Sequence, residues 1–222
     1  MIFRASQESV ALLRRVGVVG DIHCEDLVLE RVLAYFSQLG VGPVLAVGDI
    51  VDGVGDADRV YSLLVAHGVL TVRGNHDRWI LADRMREVRG AIAGSALRGD
   101  TREWLAQLPK TRSFQTPMGP MLLCHGLGDD DMAELRPDDD GYALESNFAL
   151  QALLKSKEYS VVIGGHTHLP MVRTIGGVTI INAGSLERYS RQVCSLVDFE
   201  RRRVEFFEVG QDRIFGAECF AI

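Results

Sequence analysis

The chain of 222 residues has little of what marks a membrane, secreted or polyanion-binding protein. No stretch approaches the roughly 18 uninterrupted apolar residues of a membrane span. The run Val10 to Leu13 stops at Arg14 and Arg15. It is also too short for a secretory leader and has no small-residue cleavage site, so a cytoplasmic protein without a membrane partner is expected. Cysteine is sparse: Cys24, Cys124, Cys194 and Cys219 stand far apart and form no Cys-x-x-Cys pair. That pattern excludes a thiolate knuckle and predicts free buried thiols, with Cys24 and Cys124 as packing residues. A basic surplus is absent too. The formal charge of −6 counts against nucleic acid as the favoured partner, because phosphates are neutralised by clustered Lys and Arg. Two bound divalent cations would nevertheless add about four positive charges where a phosphate sits.

Apolar residues at 47% and charged residues at 24% describe a globular chain, and the length suits one domain over 1–222. No internal repeat interrupts it. Three apolar runs, Val16 to Gly20, Val44 to Val47 and Val69 to Val72, are each followed by a helix-period segment. Those segments run from about Glu25 to Leu39, Ala57 to Ala66 and Trp79 to Val88. Strand and helix in alternation imply a parallel sheet with right-handed crossovers. After a short helix near Thr101 to Leu108, strand-like segments dominate, broken by one helix near Leu144 to Lys155. The expectation is a sheet that starts parallel packed on a second, mostly antiparallel sheet. The prefix 1–15 stands outside this order, with Ser6 as a candidate helix cap.

Five of the six histidines fall in short Gly-rich motifs that close apolar runs, and strand ends are where open α/β sheets gather ligand sites. Asp21 and His23 are two apart, so in extended backbone both face one ion. Asp49, in Gly48-Asp49-Ile50-Val51-Asp52-Gly53, offers two oxygens and is the candidate bridge between two ions. In Gly74-Asn75-His76-Asp77, Asn75 presents a neutral oxygen to a hard cation and an amide to phosphate. His76 next to Asp77 reads as a general acid with its orienting carboxylate. His125 follows the run Met121 to Leu123, and His166 and His168 share a side after Val161 to Ile163.

The order GD-x-H, GD-x-x-x-G, GNHD, HG and GHTH resembles the calcineurin-like metallophosphoesterase superfamily over Asp21 to His168, about two-thirds of the chain. Asn182-Ala183-Gly184-Ser185 is similar to the N-P-G-S segment of its small bacterial and archaeal phosphodiesterase branch. Two positions depart from that branch: His76 stands where many members have Cys, and Ala183 replaces Pro. The resemblance implies a four-layer α/β/β/α sandwich of two mixed β-sheets flanked by helices. It also implies one ion on Asp21, His23, Asp49 and His168, and a second on Asp49, Asn75, His125 and His166. Nitrogen and oxygen ligands without thiolate favour Mn foremost, with Fe, Zn, Ni or Co as alternatives.

Two such ions would polarise a phosphoryl group and turn a bridging water into hydroxide, with His76 protonating the leaving oxygen. The expected activity is hydrolysis of a small or nucleotide-type phosphodiester or phosphomonoester. A serine/threonine protein phosphatase, a dinucleoside-tetraphosphate hydrolase and a nuclease share this core, and a scaffold that has lost metals is the non-enzymatic alternative. Arg78, Arg188 and Arg191 are candidate phosphate contacts, each with surface exposure as the competing reading. His67, at a helix end before Gly68, reads as structural. The loop 129–140 carries seven acidic residues just after His125. It is either a solvated loop or a lid that repels long polyanions.

Overall fold

Residues along a strand face two layers in turn, and in this protein both layers are apolar. The computed structural model describes residues 12–84 and 89–222. The first half runs β1 (Arg15–Val19), α1 (Asp26–Gln38), β2 (Val44–Ala46), α2 (Ala57–Ala66), β3 (Leu70–Thr71) and α3 (Asn75–Leu81). A 3-10 turn (Gly94–Ala96) and α4 (Gly99–Gln107) lead to the hairpin β4 (Arg112–Thr116) and β5 (Gly119–Leu123). Then come α5 (Gly141–Glu145), α6 (Phe148–Ser156), β6 (Val161–Gly164), β7 (Met171–Ile175), β8 (Val178–Asn182), β9 (Val193–Asp198), β10 (Arg203–Val209) and β11 (Ile214–Ala221).

Two sheets form, in the orders β11-β10-β9-β1-β2-β3 and β4-β5-β6-β8-β7. Val16 and Val18 of β1 pack between the sheets with Met121 and Leu123 of β5 and Val161 and Ile163 of β6. Their alternates turn outward. Val19 meets Val28, Leu29, Val32 and Phe36 of α1, while Leu122 and Val162 meet Leu150 and Leu153 of α6. The result is four layers, helices outside and two mixed sheets within. Phe36 is fully buried, which contributes about 1.5–3 kcal/mol. Gly17 makes room for it, since a Cβ there would lie 2.7 Å from the ring.

Each sheet holds three mutually parallel strands, β1, β2 and β3 in one and β5, β6 and β8 in the other. The second sheet is therefore half parallel rather than mostly antiparallel, because the chain returns to it through α5 and α6 and through the β7 hairpin. The helix expected from Trp79 begins instead at Asn75, inside the GNHD motif. The expected helix 144–155 is split by Asn147, which caps α6 by accepting the Leu150 N–H at 3.0 Å. Strand β11 was not expected. It leaves Cys219 exposed, whereas Cys24, Cys124 and Cys194 are buried as predicted. Of the prefix, Leu13 is buried between the sheets and donates its N–H to the Gln115 carbonyl, and Arg15 already belongs to β1. The helix capped by Ser6 and the end of the one reaching Val88 lie outside the described residues. Among the described residues no helix is long and apolar enough to cross a membrane.

Candidate metal centre

The segments leaving the C-terminal ends of all six parallel strands meet at one edge of the sandwich. The His166 N–H donates to both carboxylate oxygens of Asp21 at 3.1 Å, and the Gly165 N–H donates to the His125 carbonyl at 2.7 Å. Turning a chain this sharply forces unusual backbone. His23, Asp49, His166 and His168 all have positive φ, between 47° and 71°, a region that costs non-glycine residues free energy and clusters at functional sites. The adjoining glycines allow close approach: a Cβ on Gly74 would lie 2.1 Å from Asp49 Oδ1, and one on Gly53 would lie 1.8 Å from the His23 carbonyl.

All seven expected ligand residues lie in this cluster. Ligand atoms of Asp21, His23 and His168 fall within 4.8 Å of one another, as do those of Asp49, His125 and His166, and a third group joins His23, Asp49 and His76. His125 Nε2 sits 3.3 Å from Asp49 Oδ2 and 2.8 Å from Asn75 Oδ1. Asp21, Asp49, Asn75, His23 and His125 are all buried.

The protonation pattern fits cations in this space. His23 donates from Nδ1 to the Asp52 carbonyl at 2.8 Å, and His125 donates from Nδ1 to the Val47 carbonyl at 2.8 Å. His168 Nδ1 lies 3.0 Å from Ser190 Oγ, whose own proton goes to Glu187. Each outer nitrogen is thus held by an oxygen, and Nε2 is the atom turned toward the cluster. The Nε2 atoms of His23 and His168 face each other at 3.2 Å, close enough to share one cation. The charges agree. Burial works to lower the His125 pKa, but Asp49 overrides it and pushes it up to about 10. Asp49, fully buried, is held well below the usual carboxylate range by His125, His76 and His23. Burial and then His125 lower the His166 pKa, which favours the neutral, ligating imidazole.

His76 is not paired with Asp77 as expected. Its Nδ1 lies 2.8 Å from Oδ2 of Asp52, whose side chain is wholly buried, and the other Asp52 oxygen accepts the Ile92 N–H at 3.0 Å. Asp77 instead accepts the N–H groups of Gly74, Ile50 and Val51. The reason is helical geometry: His76 and Asp77 are consecutive in the first turn of α3, so their side chains point about 100° apart. Burial and then Asp49 raise the Asp77 pKa to about 6, against the backbone N–H groups it accepts, which favour the charged form.

Residues 15–202 match the model of the calcineurin-like phosphoesterase superfamily domain. The chain belongs to that superfamily. It is accordingly a hydrolase of phosphoester bonds, and divalent metal ions are implied with it. Among solved structures it is similar to a hypothetical protein of Pyrococcus horikoshii OT3, at 19% identity over 90% of this chain and 89% of that one, with a TM-score of 0.74. A novel archaeal phosphodiesterase is 17% identical over 86% and 98%, with a TM-score of 0.56. A putative diadenosine tetraphosphatase is 21% identical over 89% and 94%, with a TM-score of 0.60. At these identities the likeness is one of fold. No curated protein matches the sequence.

In this phosphoesterase the arginines expected at phosphate are engaged elsewhere. Arg78 forks onto Asp131 at 2.6 and 2.8 Å, Arg188 onto Glu25 at 2.6 and 3.0 Å, and Arg191 bridges Glu208 and Glu218. Sequence reasoning passed over Asp52, although it sits in the GD-x-x-x-G stretch, and over the Ser190 and Glu187 pair behind His168. A carboxylate three residues after the candidate ligand Asp49 was the available signal for Asp52. Nothing in the sequence marks Ser190. Asn182 also has a local role: its amide donates to the Gly165 carbonyl and to Thr167 Oγ1, pinning the turn that carries His166 and His168.

Proposed function

We propose that this protein hydrolyses small or nucleotide-type phosphodiesters or phosphomonoesters, using two divalent transition-metal ions, manganese foremost, and His76 as general acid. The observation that carries the reading is the set of three overlapping carboxylate and imidazole groups, linked through His23 and Asp49. Asp21, His23, Asp49 and His168 would hold one ion, and Asp49, Asn75, His125 and His166 the other. Bound there, the ions supply positive charge beside the phosphoryl oxygens and make water more acidic.

The remaining work belongs to the chain. His76 is anchored at Nδ1 by Asp52, which stabilises its protonated form and leaves Nε2 to deliver a proton to the departing oxygen. Asp77 holds the segment bearing Ile50 and Val51 against the start of α3, so that the Asp49 and Asn75 side chains keep their spacing. Asn182 and Ser190 fix the turn and the ring orientation of His168. A panel of Mn, Ni, Co and Zn with mono- and bis-nitrophenyl phosphate, followed by nucleotides and dinucleotides including diadenosine tetraphosphate, tests this. Metal-dependent release of nitrophenolate is expected. Inactivity with every metal on every ester would overturn it.

A further inference from the structure

A cleft of about 650 Å³ opens beside His166 and His168. The three rings place His23 in the middle: its centroid is 4.9 Å from that of His76 and 5.0 Å from that of His168. His76 and His168 each neighbour His23 but belong to different ligand groups, so the proton donor and the cleft border different parts of the cluster. His76 takes no part in the cleft lining. A phosphorus atom seated over the cluster with its leaving oxygen at His76 would direct a second substituent toward the cleft. A monoester has no such substituent.

The cleft walls have a definite chemistry. Leu169, Pro170 and Pro137 offer apolar surface, and Glu134 and Arg136 offer an acceptor and a guanidinium. Arg136 differs from Arg78, Arg188 and Arg191. Its Nε donates to Glu134 at 3.1 Å, while Nη1 and Nη2 have no acceptor among the described residues. Its backbone is fixed on both sides, the N–H donating to Asp139 at 2.8 Å and the carbonyl accepting from Arg173 at 2.9 Å. A guanidinium with free donors, on a backbone held at both its N–H and its carbonyl and beside apolar walls, is suited to a flat ring with hydrogen-bond acceptors on its edge.

We propose that this cleft binds a nucleoside-sized substituent of a phosphodiester substrate, with Arg136 and Leu169 as specificity-determining residues. The inference rests on the metal-centred phosphoesterase reading above. The oxygen of water forms the new P–O bond and its proton passes to solvent, the P–O bond to the leaving group breaks, and that oxygen takes the proton of His76, which solvent then restores. The substituent in the cleft departs as a nucleoside phosphomonoester.

The test compares Arg136→Ser and Leu169→Ser with the unaltered protein. Leu169 is 37% exposed and the Arg136 side chain 51%, and melting temperature and metal content check that each variant keeps its fold and ions. One arm measures kcat/KM for the p-nitrophenyl ester of thymidine 5′-monophosphate against p-nitrophenyl phosphate. The other measures by calorimetry the affinity of the metal-loaded protein for thymidine 5′-monophosphate against inorganic phosphate. Each substitution should lower the diester-to-monoester ratio, and the nucleotide-to-phosphate affinity ratio, by about tenfold, the effect of roughly 1.4 kcal/mol of lost contact. Ratios that do not move overturn the assignment. If neither ester is hydrolysed by the unaltered protein, the catalytic reading fails by itself. The calorimetric arm then still decides the cleft, and equal affinity for nucleotide and phosphate overturns it.

Discussion

Replacing Asp52 by Asn keeps the shape of the side chain and an acceptor for the Ile92 N–H, but removes the negative charge 2.8 Å from His76 Nδ1. A hydrogen bond to a charged group contributes about 1.5–3 kcal/mol. If that energy stabilises the imidazolium, its loss converts to about a 10- to 150-fold fall in kcat at roughly 1.36 kcal/mol per tenfold. The full effect of His76→Ala should reach about 10²- to 10⁴-fold. The assay is leaving-group dependence. Phenyl and alkyl phosphodiesters, whose leaving oxygens need a proton, should show the whole loss, whereas a nitrophenyl ester should lose much less. Asp77→Asn serves as the contrast. It weakens acceptors for three buried N–H groups, so it should lower the melting temperature and depress all esters alike. Equal losses on activated and unactivated esters in Asp52→Asn, or a leaving-group effect in Asp77→Asn, would refute the assignment of Asp52 to His76.

Asp49→Asn should reduce bound manganese from about two ions per chain to one or fewer, because Asp49 alone among the proposed ligands belongs to both sets; elemental analysis showing two ions retained would refute the sharing. The metal-free protein should lose stability as pH rises. His125, pushed up to about 10, contributes stability fully present below its unfolded pKa of about 6.5 and lost as pH climbs through 10. Asp77, raised to about 6, acts in the same direction at lower pH. Melting temperatures of chelator-treated protein that stay flat or rise between pH 6.5 and 10 would count against the protonated His125. Saturating metal should suppress the trend, since the ions then take the place of the proton.

Much of the site was legible in the chain. Apolar runs of period two or continuous burial mark strands, and Gly-rich motifs with Asp and His at their ends mark the loops that leave them. The alternation of strand and helix dictates a parallel arrangement through β3. These signals are local, so a single sequence can carry them.

What stayed hidden depends on contacts far along the chain or on local geometry that residue type does not reveal. Adjacency made Asp77 the apparent partner of His76, but the first turn of α3 swings consecutive side chains apart and delivers Asp77 to backbone amides. Asp52, 24 residues earlier, arrives at His76 only because β2 and β3 pair in parallel and bring their C-terminal loops side by side. The carboxylates opposite Arg78 and Arg188, 53 and 163 residues away, could not be guessed from spacing. The sequence by itself determined the candidate donor residues and the strands that carry them. Tertiary structure decided which acid holds which base, which arginines remain free and where the cleft opens, because those depend on side-chain direction and sheet order rather than on residue type.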